Sequence, residues 1–243
     1  MVPTFNEAEN VERFVHEIRR HQPAIDVLFV DDMSPDGTGN IIQRLAESDP
    51  HVHLVSREAK RGYAAASREG FEWCLANDCN VVVTMDCDLS HDPASIGALL
   101  EQADAGVDLV IGSRYVKGGR VDNWPLHRRL LSRWGNRYTA AMLKIPFTDC
   151  TSGFRVYQSE CLEEVHAKTS SADGYAFLTE LLVGIAAHPR WSIVEIPIVF
   201  TDRTRGRSKM SFKIVLESIV LVTRWGLALR LRRRRHQPHR LAR

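Results

Sequence analysis

The sequence predicts an α/β domain built on a doubly wound, mostly parallel sheet, followed by a C-terminal amphipathic helix and a basic tail. Short β-branched runs alternate with longer segments whose apolar residues recur at helical spacing, and this is the βαβ rhythm. The chain has 243 residues, 44% apolar and 26% charged, enough to bury a full core and far from a disordered or disulfide-stapled composition. Acids and loop arginines gather where strands would end, and in doubly wound folds that is where ligands bind.

Val27 to Val30, Val52 to Val55, Val81 to Met85 and Leu109 to Gly112 read as buried parallel strands. Between them Glu7 to Arg20, Gly39 to Glu47, Tyr63 to Ala76 and Pro93 to Ala103 read as helices. Val2 should close a first strand, yet only Met1 precedes it, which predicts a natural start upstream of Met1. After Arg114 a Gly/Arg loop (Lys117 to Val121) leads to a helix over Leu126 to Leu143 and a turn at 150 to 153. A helix over Tyr175 to Ala187, a strand over Val194 to Phe200, a basic loop (Asp202 to Lys209) and a long apolar helix complete the chain.

Composition excludes several classes. Five scattered cysteines without a CxxC pair argue against a disulfide framework or a zinc site and for a reduced, cytosolic setting. Residues 230 to 243 hold seven arginines and no acid, so the rest of the chain carries a net −5 against +2 for the whole. An acidic body excludes a nucleic-acid groove in the main fold, and the basic tail suits an anionic lipid surface. Neither a signal peptide nor a run of 18 uncharged apolar residues occurs; Ile214 to Leu231 is interrupted by Glu217, Arg224 and Arg230. Glu217 and Arg224, seven residues apart, share one polar stripe, which predicts a helix lying on the membrane rather than across it.

The strand Val81 to Met85 runs into Asp86-Cys87-Asp88. On an extended chain residues i and i+2 point to one side, and two carboxylates beside a crevice suit a hard divalent cation that bridges nucleotide phosphates. Acids in such a loop also serve as caps or solvated turns. At the end of Val27 to Val30, Asp32 is placed to accept hydrogen bonds from a base or ribose, while Ser34-Pro35-Asp36-Gly37-Thr38 is equally good turn and N-cap chemistry. Arg114 ends a strand, and Arg203, Arg205, Arg207 and Lys209 crowd one loop, where cations can clamp phosphates. His91 reads as a hydrogen-bonding loop histidine, and Trp73, Trp124, Trp134 and Trp191 as core or interface residues.

The segments Val2 to Glu7, Val30 to Thr38, Met85 to His91, Gly112 to Tyr115 and Asp202 to Ser211 together resemble the family-2 glycosyltransferases, and within them the polyprenol (dolichol) phosphate mannosyltransferases. The resemblance implies a GT-A domain over 1–210, with a nucleotide-binding half at 1–113 and an acceptor half at 114–210, followed by an interfacial helix and Arg-rich tail at 211–243. It implies GDP-mannose as donor, Mg²⁺ or Mn²⁺ as cofactor and a polyprenyl monophosphate as acceptor. Position by position, Pro3, Phe5, Glu7, Val30 and Asp32 would hold the guanosine, and Asp86, Cys87, Asp88 and Ser90 the metal and diphosphate. Arg114, Arg203 and Lys209 would face the phosphates, with Asp88, Arg114 and Arg203 carrying catalysis, and Arg128 and Ser132 would bind the acceptor phosphate. Phe5 stands where a Tyr is common, and Cys87 where an Ala is usual. The expected enzyme works on the cytoplasmic side of a membrane, against an anionic surface and beside a possible membrane-protein partner. The competing readings are UDP-glucose as donor, and a non-catalytic nucleotide-binding subunit of a membrane complex.

Overall fold

The computed structural model describes residues 1–166, 172, 174, 176–203 and 212–235, with the side chains of 212–214 and 232–235 left aside. Nine strands alternate with eight α-helices among these residues: β1 (Val2–Thr4), α1 (Val11–His21), β2 (Val27–Asp31), α2 (Thr38–Ser48), β3 (Val52–Ser56), α3 (Tyr63–Ala76), β4 (Val81–Thr84), α4 (Ile96–Asp104) and β5 (Leu109–Ser113). They continue as β6 (Arg120–Asp122), α5 (Leu126–Leu143), β7 (Arg155–Gln158), α6 (Ser159–His166), α7 (Ala176–Ala186), β8 (Ile193–Pro197), β9 (Val199–Thr201) and α8 (Phe212–Arg235).

β1, β2 and β3 pair in parallel, with Val2 opposite Phe29 and Val27 opposite Val52. A second sheet has the order β4-β7-β5-β8, in which β5 and β8 are parallel and β7 runs antiparallel to both of its neighbours. The Met1 amine donates to the Val83 carbonyl at 2.8 Å, setting the start of β1 beside β4. Alternation along the strands divides the core in two. Leu28, Val30, Val82, Leu109 and Ile111 face the layer of α3, α6 and α7 with Phe71 and Phe177. Val27, Phe29, Val83 and Val110 face α1 and α4 with Phe14, Ile18 and Leu99. Both faces of the sheet are therefore covered, and strands such as β2 are buried at every residue.

Several elements depart from expectation. The first helix begins at Val11, because the amides of Asn10 and Val11 already bond Glu7 O and leave Glu7 to Asn10 as its entry turn. The strand expected over Val194 to Phe200 is two strands: Ile198 N bonds Ser113 O, and β9 then leaves β5 to pair with β6. β7 and α6 were not expected at all. The C-terminal helix packs on α5, where Tyr138 and Thr223 share a 2.6 Å hydrogen bond. Gly226 permits the approach, since a Cβ there would sit 2.7 Å from Met142 O. No helix among the described residues is long and apolar enough to cross a membrane.

Candidate functional site

The ends of β1, β2, β4, β5 and β9, with the helices α5 and α8, build the site. At the end of β2, Asp32 is buried and wholly engaged: Oδ1 accepts from Arg61 N at 3.0 Å and from Arg57 Nη1, and Oδ2 accepts from Gly62 N at 2.7 Å. Gly62 lies at φ +88°, a conformation that suits glycine. Asp32 thereby folds the 57–62 loop back over β1, and Lys60 Nζ comes to rest 3.6 Å from the centre of the Phe5 ring. Beside it Asp36 makes the turn, accepting from Thr38 N, Thr38 Oγ1 and Ala8 N. Burial alone would raise the Asp36 carboxyl, but these donors hold it below its usual range. Glu7 is buried, with Oε2 accepting from Asn10 Nδ2 at 2.7 Å. Pro3 is half-buried in β1. Val30 is sealed in the core with no exposed surface, so the structure does not bring it to a ligand as expected.

Past β4 the chain turns, and the extended geometry expected for Asp86 and Asp88 does not hold: residues 87 and 88 lie in a turn and Leu89 has φ +58°. Cys87 points into the core. Asp86 N donates to His91 Nδ1 at 3.2 Å, which leaves the proton of a neutral ring on Nε2. The imidazole packs against Phe154 and Phe200, and burial pushes it down to about 4, with Asp88 opposing. Asp88 is buried, accepts from Ser90 N at 3.0 Å through Oδ1, and pairs through Oδ2 with Arg203 Nη2 at 2.9 Å. Among the described residues the buried Ser90 hydroxyl oxygen has no hydrogen-bond partner. Among the described residues no group of three or more His, Cys, Asp or Glu side chains could hold a metal by itself. The protein offers two carboxylates and an orphaned hydroxyl, a donor set of the kind that Mg²⁺ or Mn²⁺ completes with substrate phosphates and water.

Arg114 differs most from the open phosphate clamp its loop position suggested. Its guanidinium is buried and bidentate to Asp149, with Nε to Oδ2 and Nη2 to Oδ1 both at 2.7 Å, and Nη2 also reaches Thr151 Oγ1 at 2.8 Å. Burial would lower the arginine and raise the acid, but the paired charges outweigh it: Arg114 lies above its usual range and Asp149 below. The Asp149 turn is itself tied down. Glu195 accepts from Thr148 N, Thr148 Oγ1 and Asp149 N, and Asn136 of α5 accepts from Cys150 N. The fully buried Arg155 donates to Cys150 O, Ser152 O and Leu178 O.

On α5, Arg128 stacks 4.0 Å from the centre of the Trp124 ring and pairs with Asp202 at 3.1 Å. Ser132 Oγ accepts from Tyr115 OH at 2.6 Å. A cavity of about 180 Å³ brings together Asp86, Arg114, Arg128, Ser132, Arg203 and Trp134. Asp88 touches this group through its ion pair with Arg203. Trp134, stacked on Tyr138, is half exposed beside the cavity. Lys209 lies outside the described residues, as do Arg205 and Arg207. Sequence reasoning passed over Asp149, Asp202 and the 57–62 loop. The only local signals were an acid next to the 150–153 turn, one beside Arg203, and three cations between a strand and a glycine.

The profile of the family described as glycosyl transferase family 2 matches residues 1–165. A polyprenol monophosphomannose synthase of Mycolicibacterium smegmatis is 42% identical over 236 residues, covering 97% of this chain and 89% of that protein. An undecaprenyl-phosphate mannosyltransferase of Micrococcus luteus is 43% identical over 230 residues, covering 95% of this chain and 94% of that protein. Among solved structures, glucosyl-3-phosphoglycerate synthase from Mycobacterium tuberculosis, in complex with Mn²⁺, uridine diphosphate and phosphoglyceric acid, superposes with a TM-score of 0.63. At 19% identity, over 96% of this chain and 76% of that one, the likeness is one of fold. The fold is GT-A and the class of enzyme a hexosyltransferase. The chain belongs to glycosyl transferase family 2.

Proposed function

We propose that this enzyme transfers mannose from GDP-mannose to a polyprenyl monophosphate, with inversion, at the cytosolic surface of a membrane. The observation that carries the reading is the single cavity in which a strand-end carboxylate, Asp86, faces the cations Arg114, Arg128 and Arg203. Donor diphosphate and acceptor phosphate need that company of charges. The names of the two bacterial relatives support mannose and a polyprenyl acceptor.

Asp86 and Asp88, with Ser90 beside them, would hold a divalent cation that neutralises the departing diphosphate. Phe5 would stack the base once Lys60 moves off its ring, with Pro3 and Glu7 beside it. Asp32 acts through the loop it folds. A phosphomonoester has its second pKa near about 6, so the acceptor reaches the site already dianionic and needs no strong general base. Arg128, flattened on Trp124, receives that phosphate. Ser132, whose oxygen is taken by Tyr115 OH, has its own proton left to donate. Arg114 is fixed by Asp149 and adds a preorganised positive charge without reorganising during reaction. Among the described residues that line the cavity the only carboxylate is Asp86, which the metal assignment already uses, and this supports one in-line displacement.

The 1–210 body would present this cavity to lipid through the interfacial segment at 211–243. Exposed Leu126, Leu130, Leu131 and Trp134 on α5, and Leu216, Val220, Leu227 and Leu231 on α8, supply the apolar contact. The test is to incubate the purified chain, Mg²⁺ and a vesicle-borne polyprenyl phosphate with labelled GDP-mannose or UDP-glucose in parallel. Label from GDP-mannose alone should enter a mild-acid-labile lipid; label from UDP-glucose alone, or from neither, refutes the reading.

A further inference from the structure

Two consecutive residues at the end of β9 occupy both halves of the site at once. Asp202 holds Arg128, the cation facing the acceptor side, through both carboxylate oxygens at 3.1 and 3.2 Å. Arg203 holds Asp88, on the metal side, at 2.9 Å. The Asp202 carboxylate also accepts from the Arg203 backbone amide at 3.2 Å, so it is held within reach of its neighbour as well as on Arg128. The backbone leading to them is pinned, with Thr201 N on Ser90 O at 3.1 Å and Asp202 N on Asp122 O at 3.3 Å. The side chains, not the strand, are what can rearrange.

Each contact is one a ligand would replace. A cation at Asp88 competes with the Arg203 guanidinium for the same carboxylate and repels it. An anion at Arg128 competes with the Asp202 carboxylate and repels it in turn. We propose that Asp202 and Arg203 form a two-ended ionic latch that couples arrival of the acceptor phosphate to seating of the divalent cation. The inference rests on the metal and acceptor assignments made above and goes beyond them. Asp202 is a positioning residue: displaced from Arg128 by phosphate, it turns toward the guanidinium of its neighbour and draws Arg203 off Asp88. Seating the cation first works the same exchange from the other end. Arg203 then trades a carboxylate for the phosphates gathered in the cavity, and the charges reach their reacting arrangement only when both ligands are present.

Coupling of this kind is reciprocal by thermodynamic necessity. The experiment uses the full chain with GDP present throughout, Mn²⁺ followed by electron paramagnetic resonance, and methyl phosphate as a soluble monoester probe. Methyl phosphate should tighten Mn²⁺ binding by about tenfold, within the usual range of coupling factors, and Mn²⁺ should tighten methyl phosphate by the same factor. In Asp202→Asn, methyl phosphate should bind more tightly without Mn²⁺, because Arg128 has lost its competitor, and the coupling should fall to about twofold or less. Asp202→Glu, which keeps the charge, should restore it. Full coupling in Asp202→Asn would mean that cation and phosphate attract each other directly, and would overturn the latch. Wild-type protein that binds both probes independently overturns it while leaving the metal and acceptor sites standing. Wild-type protein that fails to bind Mn²⁺ beside GDP overturns the metal assignment and the latch together.

Discussion

Replacing Asp149 by alanine should cost more stability than any other single change in the site. Its side chain has no exposed surface and that of Arg114 is 9% exposed, so the pair is desolvated at both ends. Removing one partner leaves a buried guanidinium uncompensated, and such losses run to about 3–5 kcal/mol. The Arg114 amide, which donates to Asp149 Oδ2 at 3.0 Å, loses its acceptor as well. An overall loss of about 4 kcal/mol corresponds to a fall in Tm on the order of 10 °C for a chain of this size. Guanidinium titration with an unchanged m-value measures it. Asp149→Asn, which keeps an acceptor but not the charge, should fall between. Combining Arg114→Met with Asp149→Leu should recover part of the loss, since an apolar pair replaces the ionic one, but not all of it, because the amide stays unsatisfied. The pH dependence has a fixed sign. The folded carboxyl lies below its unfolded value of about 3.9, so its contribution is present above that value and lost as pH falls through the folded pKa. The gap between wild type and Asp149→Ala should therefore be flat from neutrality to about pH 5 and close only below about pH 4. A loss under about 1 kcal/mol, or a double variant no more stable than Asp149→Ala, would refute the account of the pair.

Asp88→Asn should abolish transfer while costing far less stability than Asp149→Ala; near wild-type turnover at saturating metal would move the metal site elsewhere. Phe5→Ala should weaken GDP binding by about tenfold, as expected for loss of one stacked base, with Phe5→Tyr close to wild type by calorimetry, because the ring face and not the para position does the work. Gly226→Ala should lower stability by about 1–3 kcal/mol, since its Cβ would meet Met142 O at 2.7 Å, whereas Gly135→Ala, with nothing within 4 Å, should gain up to about 1 kcal/mol of helix propensity. Replacing the arginines at 232 to 235 by glutamine should weaken sedimentation with anionic vesicles by about 1 kcal/mol per residue at low salt and leave neutral vesicles unaffected; equal binding by both forms would remove the electrostatic anchor.

Elements buried by their own sequence were legible, and elements stabilised from a distance were not. β2, β4 and β5 are built on buried runs of Val, Leu, Ile and Phe, and α5 and α3 fell where the apolar spacing put them. β7 is Arg-Val-Tyr-Gln, and nothing local says that its arginine will be fully buried. What makes that burial tolerable is Leu178 O, 23 residues away, and the carbonyls of the preceding turn. The break at Ile198 is hidden for the opposite reason, since the apolar run continues through a change of pairing partner. In the site, the acids of 86 to 88 and the arginines were visible because they interrupt apolar strands at their ends. Their partners were not visible, because Arg114 and Asp149 are 35 residues apart and Arg128 and Asp202 are 74 apart. A sequence displays which charges are unusual; only the fold determines which of them cancel.

The cavity and the helix pair explain each other. α5 lends Arg128, Leu131, Ser132 and Trp134 to the cavity wall, and α8 lends Val215, Ser218 and Ile219. The same helix carries exposed Leu216, Val220, Leu227 and Leu231, spaced by four, seven and four residues and so aligned in one stripe. Glu217 and Arg224 border that stripe, a composition that favours lying in an interface over crossing it. Between the cavity-lining residues near 217 and the arginines near 232, a helix rises on the order of 22 Å. On the proposed reading, the basic end meets lipid head groups while the other end opens the cavity to the same plane. The two helices run side by side with the same polarity, since Tyr138 meets Thr223 and Met142 meets Gly226. The direction in which the cavity faces is therefore set by the packing that lets α8 lie against α5. A wedge at Gly226 should disturb acceptor use with lipid in vesicles more than it disturbs binding of GDP, because the residues proposed to hold the donor stand at β1, β2 and β4, away from the Met142 contact of Gly226.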